Sequence, residues 1–182
     1  MPDPVLYLIG CTAPPVQHSA RAVELAQKAG WDVCLVLTPR AAKWMGGEIP
    51  ALEKLTGHPV RSDYKMPGED DVLPAASAML AAPATLNTLS KWAMGMPDTL
   101  ALGLLTEAIG KHLPLVALPY INAAQAGHPA LSGHIGMLEQ SGVKVLLGDG
   151  GHVPHQPGQG DASAFPWSMA LETLEAVRRA AD

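Results

Sequence analysis

Small polar side chains follow directly on an apolar run near the middle of the chain. Residues 78–82 form the run, Pro83 ends it, and Thr85, Asn87 and Thr88 come next. Hydroxyl and amide groups at the carboxyl end of a buried strand are typical of polar-ligand sites in open α/β sheets. If a helix begins there, its free backbone N–H groups favour an anion such as a phosphate. The stretch therefore predicts a site for a polar, anionic ligand.

Other apolar runs end in the same way. Thr12, Thr38 and Asn122 each come shortly after one of them. The carboxyl ends of parallel strands share one edge of a sheet, so we expect these side chains to converge with the threonines and asparagine of the central stretch. The dinucleotide fingerprint Gly-x-Gly-x-x-Gly and the Walker phosphate loop are both absent from the sequence. The pattern favours a mononucleotide held by hydroxyls and backbone amides.

The elements that must position these groups alternate along the chain. Strands are predicted at 5–9, 32–37, 76–82, 113–118 and 143–147. Helices are predicted at 16–29, 40–57 with a break at Gly46-Gly47, 87–94, 98–111 with Asp98 as N-cap, 129–141 and 167–181. The nearly continuous apolar strands are typical of a parallel sheet buried on both faces. We predict one domain over residues 1–182, with a three-layer, Rossmann-like (flavodoxin-like), doubly wound α/β fold.

Composition narrows the classes of partner. The formal net charge is −5 and no basic cluster occurs, which disfavours nucleic acid. No apolar run approaches the roughly 18 residues that span a bilayer. Charged residues make up only 16% of the chain, against a typical quarter, so we expect a homo-oligomer to cover much of the surface. The first four residues carry no basic leader, and a cytoplasmic location is expected.

Both cysteines lie inside or at the end of apolar runs. Cys11 and Cys34 are expected to be free thiols that behave as small hydrophobes. Their spacing provides neither a zinc motif nor a disulfide framework, and no metal site is predicted.

Together, the polar stretches resemble the homo-oligomeric flavin-containing cysteine decarboxylases, which bind FMN. The resemblance covers roughly residues 4–150. It rests on the motifs Gly10-Cys11-Thr12, Val36-Leu37-Thr38-Pro39-Arg40-Ala41-Ala42, Ala82-Pro83-Ala84-Thr85-Leu86-Asn87-Thr88, Lys91-Trp92-Ala93, Gly95-Met96-Pro97-Asp98, Pro119-Tyr120-Ile121-Asn122 and His128-Pro129-Ala130.

This resemblance implies a role for each matching residue. The FMN phosphate or ribityl chain would contact Thr12, Ala13, Pro14 and Thr38. The flavin would be wrapped by Thr85, Leu86, Asn87 and Thr88, with backbone contact from Tyr120. Asn122 matches the asparagine that binds the substrate carboxylate in the decarboxylases. The resemblance also implies trimers or multiples of trimers, with FMN near a subunit interface.

The chain departs from these decarboxylases at one important point. Their essential histidine lies a little over a dozen residues before the proline of the central motif, and the window at 67–74 holds no histidine here. The catalytic residues therefore remain unassigned. The favoured interpretation is an FMN-dependent enzyme, decarboxylase-like or oxidoreductase-like, acting on a small carboxylate-bearing molecule or a peptide C-terminus. The alternatives are a non-catalytic FMN carrier or regulatory subunit, and a flavin prenyltransferase-like enzyme.

The late Gly/Pro-rich loop at 148–166 carries His152 and His155. These histidines could be solvated, could belong to an active-site lid that acts as acid or base, or could bind a metal. The solvated interpretation is favoured, because two histidines in a flexible loop do not make a dependable metal site unaided.

Overall fold

The computed structural model of the protein describes residues 3–181. Within them, five parallel strands form one sheet in the order β2-β1-β3-β4-β5. The strands are β1 (Val5–Gly10), β2 (Asp32–Leu37), β3 (Ala78–Ala84), β4 (Leu115–Pro119) and β5 (Val143–Val145). This order is that of flavodoxin-like doubly wound sheets, so the predicted fold class is confirmed.

Helices connect the strands and cover both faces of the sheet. The α-helices are α1 (Ser19–Lys28), α2 (Pro39–Trp44), α3 (Ile49–Thr56), α4 (Leu86–Ala93), α5 (Leu100–Gly110), α6 (Ala123–Ala126), α7 (Leu131–Gln140) and α8 (Trp167–Ala181). Short 3-10 helices span Pro14–His18 and Ala162–Ala164. The predicted break at Gly46-Gly47 is confirmed, because it separates α2 from α3. In the described part of the chain, no helix has both the length and the apolar character needed to cross a membrane.

Alternate residues of each strand point into two separate cores. On one face, Leu6 and Leu8 of β1 join side chains from α1, α3 and α8. On the other face, Tyr7 and Ile9 join side chains from α4, α5 and α7. Both cysteines are free and buried, as expected for small hydrophobes. A sheet buried on both faces explains why its strands are continuous apolar runs.

The prediction that Pro83 ends the third strand was wrong. β3 continues through Pro83 to Ala84, and the Ala82–Pro83 peptide bond is cis. The Pro83 carbonyl accepts a hydrogen bond from the Cys11 N–H at 3.0 Å, and the Ala84 carbonyl accepts one from Tyr120 N at 2.9 Å. The β3–β4 register shifts between Ala81 and Ala84, which accommodates a residue without an N–H in a central strand.

The predicted start of the fifth helix also needs correction. The N-cap of α5 is Thr99, whose hydroxyl oxygen accepts a hydrogen bond from Leu102 N at 3.3 Å. Asp98, the predicted cap, forms an ion pair with Lys91 of α4 instead. Threonine and aspartate are both good N-caps, so adjacent candidates cannot be separated by residue type alone. The short helix α6 was not predicted; it begins directly after Asn122.

Candidate functional site

A cleft of about 380 Å³ opens at the carboxyl edge of the sheet. It lies beyond the ends of β1, β3 and β4, beside the point where the strand order reverses, which is where open α/β sheets bind ligands. Seven residues expected to bind ligand are among those lining it: Thr12, Ala13, Pro14, Thr85, Leu86, Tyr120 and Asn122. The structure thus brings together groups from three separate strand ends.

Thr38 contacts one of the residues that line this cleft. Its hydroxyl oxygen lies 3.2 Å from that of Thr12, and its backbone N–H donates to the Gly10 carbonyl at 2.9 Å. Thr38 itself is not among the residues that line the cleft. Its direct contact with a ligand stays a prediction, whereas its contact with the wall residue Thr12 is present.

The polar residues of the central motif have different environments at the start of α4. Thr85 is the N-cap, and its hydroxyl accepts from the Thr88 N–H at 3.3 Å while donating to the Thr88 hydroxyl oxygen at 3.1 Å. Thr88 is buried beneath the cap, where hydrogen bonding to it partly offsets the burial that raises the pKa of the Cys11 thiol. Asn87 is exposed, and neither it nor Thr88 lines the cleft. Their predicted flavin contacts therefore remain predictions.

Asn122 is held in a capping box at the start of α6. Its side-chain oxygen Oδ1 accepts from Gln125 N at 2.9 Å, and Gln125 Oε1 accepts from Asn122 N at 3.2 Å. This reciprocal cap fixes the side chain at the edge of the cleft. Because the cap uses the oxygen, the Nδ2 amide group is the part of Asn122 that can donate to a ligand carboxylate.

The late loop lies back on the ends of β4 and β5. The carbonyl of His155 accepts from Ala123 N at 2.7 Å, and the His152 N–H donates to the Leu146 carbonyl at 3.0 Å. These bonds accompany isolated parallel bridges, one of which pairs Asn122 with His155. As a result, His155, Gly158 and Gly160 line the cleft beside Tyr120.

The two loop histidines have different environments. His152 is only 9% exposed, so the prediction that it is solvated was wrong. Its Nε2 lies 3.0 Å from the Ile121 carbonyl oxygen and must donate to it, since that oxygen can only accept. Burial is the main cause of a lowered pKa for His152, which favours the neutral imidazole. His155 is half-buried and lines the cleft.

Tyr120 is the centre of an aromatic cluster at the back of the cleft. Its ring centroid lies 4.8 Å from that of His155, 5.0 Å from that of His152 and 5.8 Å from that of Phe165. Burial, together with the nearby Asp161 carboxylate, raises the pKa of the Tyr120 hydroxyl. The cleft therefore combines an apolar, aromatic wall with the hydroxyl and amide groups of the strand ends. The other lining residues were not among those expected to bind the flavin or the substrate: Ile121, Gln125, His155, Gly158 and Gly160. The folded-back loop brings the last three of them to the cleft, and α6 brings Gln125.

A larger cavity of about 730 Å³ lies elsewhere, under the segment that crosses from α3 to β3. Its lysines are engaged in ion pairs, Lys65 with Asp71 at 2.8 Å and Lys111 with Glu107 at 2.9 Å. Three of the polar residues that the sequence singled out, Thr12, Thr85 and Asn122, line the smaller cleft instead. We therefore assign the candidate site to the carboxyl edge.

Two of the solved structures that share this fold illustrate the likeness. The FMN-dependent cysteine decarboxylase SpaF superposes with a TM-score of 0.67 at 23% identity, covering 95% of this chain and 97% of SpaF. A variant of EpiD in complex with the substrate peptide DSYTC superposes with a TM-score of 0.63 at 20% identity, covering 79% of this chain and 80% of EpiD. At these identities the likeness concerns the fold.

Sequence comparison extends the relationship. The coenzyme A biosynthesis bifunctional protein CoaBC of Thermococcus kodakarensis is 31% identical over 138 residues, which make up 70% of this chain and 33% of that protein. The chain thus spans about a third of the length of this curated relative. The family model described as Flavoprotein matches residues 17–175, most of the chain. The chain therefore belongs to the Flavoprotein family.

Proposed function

We propose that the protein binds FMN in the carboxyl-edge cleft and is a flavin-dependent enzyme for a carboxylate-bearing small molecule or peptide C-terminus. The observation that carries this proposal is the convergence of Thr12, Thr85 and Asn122 on one cleft beside the reversal of strand order. That position is where flavodoxin-like sheets hold a mononucleotide. Membership of the Flavoprotein family supports a flavin as the ligand.

The donor set of the cleft fits FMN. Hydroxyls of Thr12 and Thr85 can hydrogen-bond a phosphate or a ribityl chain, and the backbone N–H groups at the start of α4 favour an anion. Leu86 and Ile121 provide apolar surface, and Tyr120 provides an aromatic ring, as a planar isoalloxazine requires. When bound, FMN supplies an acceptor for two electrons.

The residues of the chain have the task of binding and orienting the substrate. Asn122 would donate from Nδ2 to the substrate carboxylate, since the capping box holds its side chain in place before any ligand arrives. Such preorganisation avoids the entropy cost of ordering the side chain on binding. The folded-back loop forms part of the cleft wall through His155, Gly158 and Gly160 and would help to exclude water from the bound substrate.

The similar proteins support the substrate class in this proposal. SpaF is an FMN-dependent cysteine decarboxylase, and the EpiD variant was solved with a peptide that ends in cysteine. In this chain, two acidic groups before β3 are engaged locally: Glu69 Oε2 accepts from Met66 N at 2.8 Å, and Asp71 pairs with Lys65 at 2.8 Å. Because these two carboxylates are already engaged, we assign neither of them as a catalytic acid or base. We propose flavin-dependent chemistry on a thiol-bearing or carboxylate-bearing substrate and leave decarboxylation itself unassigned.

Homo-oligomeric assembly is part of the same proposal. Large apolar side chains are exposed on the described surface, among them Met66 at 67%, Met94 at 55% and Trp44 at 50%. Apolar surface of this kind often marks contact between chains. A trimer, or a multiple of trimers, is the state we expect by light scattering.

Flavin titration tests the proposal. We expect one FMN per chain, with quenching of flavin fluorescence, and weaker binding of riboflavin because it lacks the phosphate. The variant Asn122→Asp keeps a good N-cap but replaces the Nδ2 donor with a negative oxygen. It should retain FMN and lose affinity for 3-mercaptopropionate by at least about tenfold, the equivalent of about 1.4 kcal/mol.

Three results would contradict parts of this proposal. A wild-type protein that binds neither FMN nor riboflavin removes the flavin site altogether. An Asn122→Asp variant with unchanged affinity for 3-mercaptopropionate removes the role of Asn122. Tight FMN binding, without flavin reduction by a broad panel of thiol acids and cysteine-ending peptides, identifies a carrier rather than an enzyme.

A further inference from the structure

His155 is the histidine of the late loop that faces the cleft. Its imidazole lines the same wall as Asn122, and the two residues are paired in a parallel bridge. The Ala123 N–H donates to the His155 carbonyl at 2.7 Å, which fixes the backbone of the loop at this point. The backbone of His155 is therefore held beside Asn122, the residue that we propose to bind the substrate carboxylate, and both residues line the cleft.

The backbone at Gly160 approaches the His155 side chain closely. A Cβ atom at position 160 would lie 2.6 Å from His155 Nε2 and 2.2 Å from the Tyr120 hydroxyl oxygen. Both distances are shorter than van der Waals contact, so only a glycine lets the loop backbone approach these two atoms so closely. The close approach brings His155 Nε2 and the Tyr120 hydroxyl to the same small region of the cleft.

His152 cannot serve as the basic group of the cleft. Its Nε2 proton is donated to the Ile121 carbonyl, and its ring is buried behind Tyr120. Burial also favours its neutral form, as the lowered pKa indicates. Within this cluster, His155 is the imidazole that a ligand can reach.

We propose that His155 accepts the proton of a thiol on the ligand whose carboxylate Asn122 binds. In this step the S–H bond breaks and an N–H bond forms at Nε2 of His155. The electron pair stays on sulfur, so a thiolate and an imidazolium result and no oxidant or reductant is needed. Imidazole is suited to this transfer, because its ordinary pKa of about 6.5 leaves it largely neutral at physiological pH and able to accept a proton. The inference rests on the proposed function, which supplies the ligand class.

The ionisable groups around His155 come from three elements. His152 and Asp161 lie on its own loop, Tyr120 follows β4, and His18 ends the 3-10 helix after β1 and interacts with Asp161. Asp161 is itself held as a carboxylate, since hydrogen bonds from Ser163 lower its pKa.

Nitrogen-15 NMR of the histidine rings provides a test that does not depend on turnover. The FMN-loaded wild type is titrated with 3-mercaptopropionate at a pH at which the His155 ring is neutral in the ligand-free protein. The His155 signals are assigned by their loss in the His155→Asn variant. We expect both ring nitrogens of His155 to move to imidazolium values on binding. A thiolate absorbance should appear in the far-ultraviolet difference spectrum at the same time.

Affinity measurements give a second readout. In the wild type, 3-mercaptopropionate should bind more tightly than propionate, which lacks the thiol. His155→Asn should reduce this preference by at least about tenfold, because a charge-assisted hydrogen bond is lost. The matched control His112→Asn changes an exposed histidine outside the cleft, at a positive φ that asparagine tolerates, and should keep the preference.

The outcomes separate this inference from the proposed function. If FMN and 3-mercaptopropionate bind but His155 stays neutral, or the variant keeps the thiol preference, the role of His155 is wrong and the flavin site stands. If FMN binds and 3-mercaptopropionate does not, the inference is also wrong. If FMN itself fails to bind the wild type, the proposed function fails, and the role of His155 fails with it.

Discussion

The hydroxyl oxygens of Thr12 and Thr38 lie 3.2 Å apart, although 26 residues separate them along the chain. The contact exists because β1 and β2 pair in parallel register, with Gly10 opposite Leu37, so the residues that follow both strands meet at one edge. The Thr38 N–H also donates to the Gly10 carbonyl. Two neighbouring strands thus fix the position of one polar wall group.

This contact predicts that Thr38 acts on ligand binding through Thr12. Thr12→Val should weaken FMN binding by at least about tenfold, because it removes one hydrogen bond to a charged group. Thr38→Val should weaken it less, because it removes only the partner that orients Thr12. Fluorescence titration of FMN measures both, and the double variant should bind like Thr12→Val alone. Additive losses in the double variant would mean that Thr38 contacts the ligand independently.

Thr85 should have two measurable roles, as a helix cap and as part of the cleft wall. Thr85→Ala removes the cap of α4 and should lower the free energy of unfolding by about 1 kcal/mol. It should also weaken FMN binding, because the hydroxyl lines the cleft. Thr99→Ala is the matched control, since Thr99 caps α5 at the same 3.3 Å distance but does not line the cleft.

The two variants are compared by urea denaturation and by FMN titration. Equal losses of stability with a loss of affinity only in Thr85→Ala support a direct contact of Thr85 with FMN. A similar loss of affinity in both variants would indicate that binding responds to stability alone.

The polar strand ends could be predicted from the sequence, whereas the loop wall could not. Thr12, Thr85 and Asn122 follow apolar runs, and parallel topology brings all such positions to one edge whatever the loop details. His155 reaches the cleft only through hydrogen bonds between the late loop and the residues after β4, and no periodicity marks those bonds. At Pro83 a local sequence signal was present but gave the wrong prediction. Its local preference favours a strand end, but hydrogen bonds from neighbouring strands extend β3 past it.

His152 should make the stability of the protein depend on pH below about 6.5, the ordinary pKa of the side chain. Burial lowers its pKa in the folded protein, so on acidification the unfolded chain binds a proton that the native chain does not. The free energy of unfolding therefore falls as pH drops from about 6.5 towards the lowered native pKa, by at most about 1.4 kcal/mol per pH unit. More than about one pH unit above 6.5 this group has almost no effect, because the histidine is then neutral in both states.

Urea denaturation between pH 7.5 and 5 measures this slope. His152→Gln keeps an N–H donor for the Ile121 carbonyl but cannot take up a proton, so its slope should be flatter. The exposed His112→Asn variant should keep the wild-type slope. Glu175, whose pKa is lowered to about 2 chiefly by hydrogen bonding from Arg178, acts only at more acidic pH and stays outside this window. Identical slopes in all three proteins would show that His152 is not the titrating group.

A substitution at Gly160 displaces the cleft wall without replacing any of its polar residues. Gly160→Ala places a Cβ 2.2 Å from the Tyr120 hydroxyl and 2.6 Å from His155 Nε2, so both side chains have to shift. Overpacking of this kind costs about 1–3 kcal/mol of stability. We expect a folded protein with weakened binding of 3-mercaptopropionate and displaced His155 resonances.

The control for this variant is Gly150→Ala in the same loop, where an added Cβ meets nothing within 4 Å. Calorimetry of ligand binding and thermal unfolding are compared for both variants. Gly150→Ala should match the wild type in affinity, because the wall of the cleft is unchanged. If Gly160→Ala also keeps wild-type affinity and His155 signals, the late loop must move outward as a unit. The wall formed by Tyr120 and His155 would then be adaptable, and a ligand could bind without the close approach that the glycine permits.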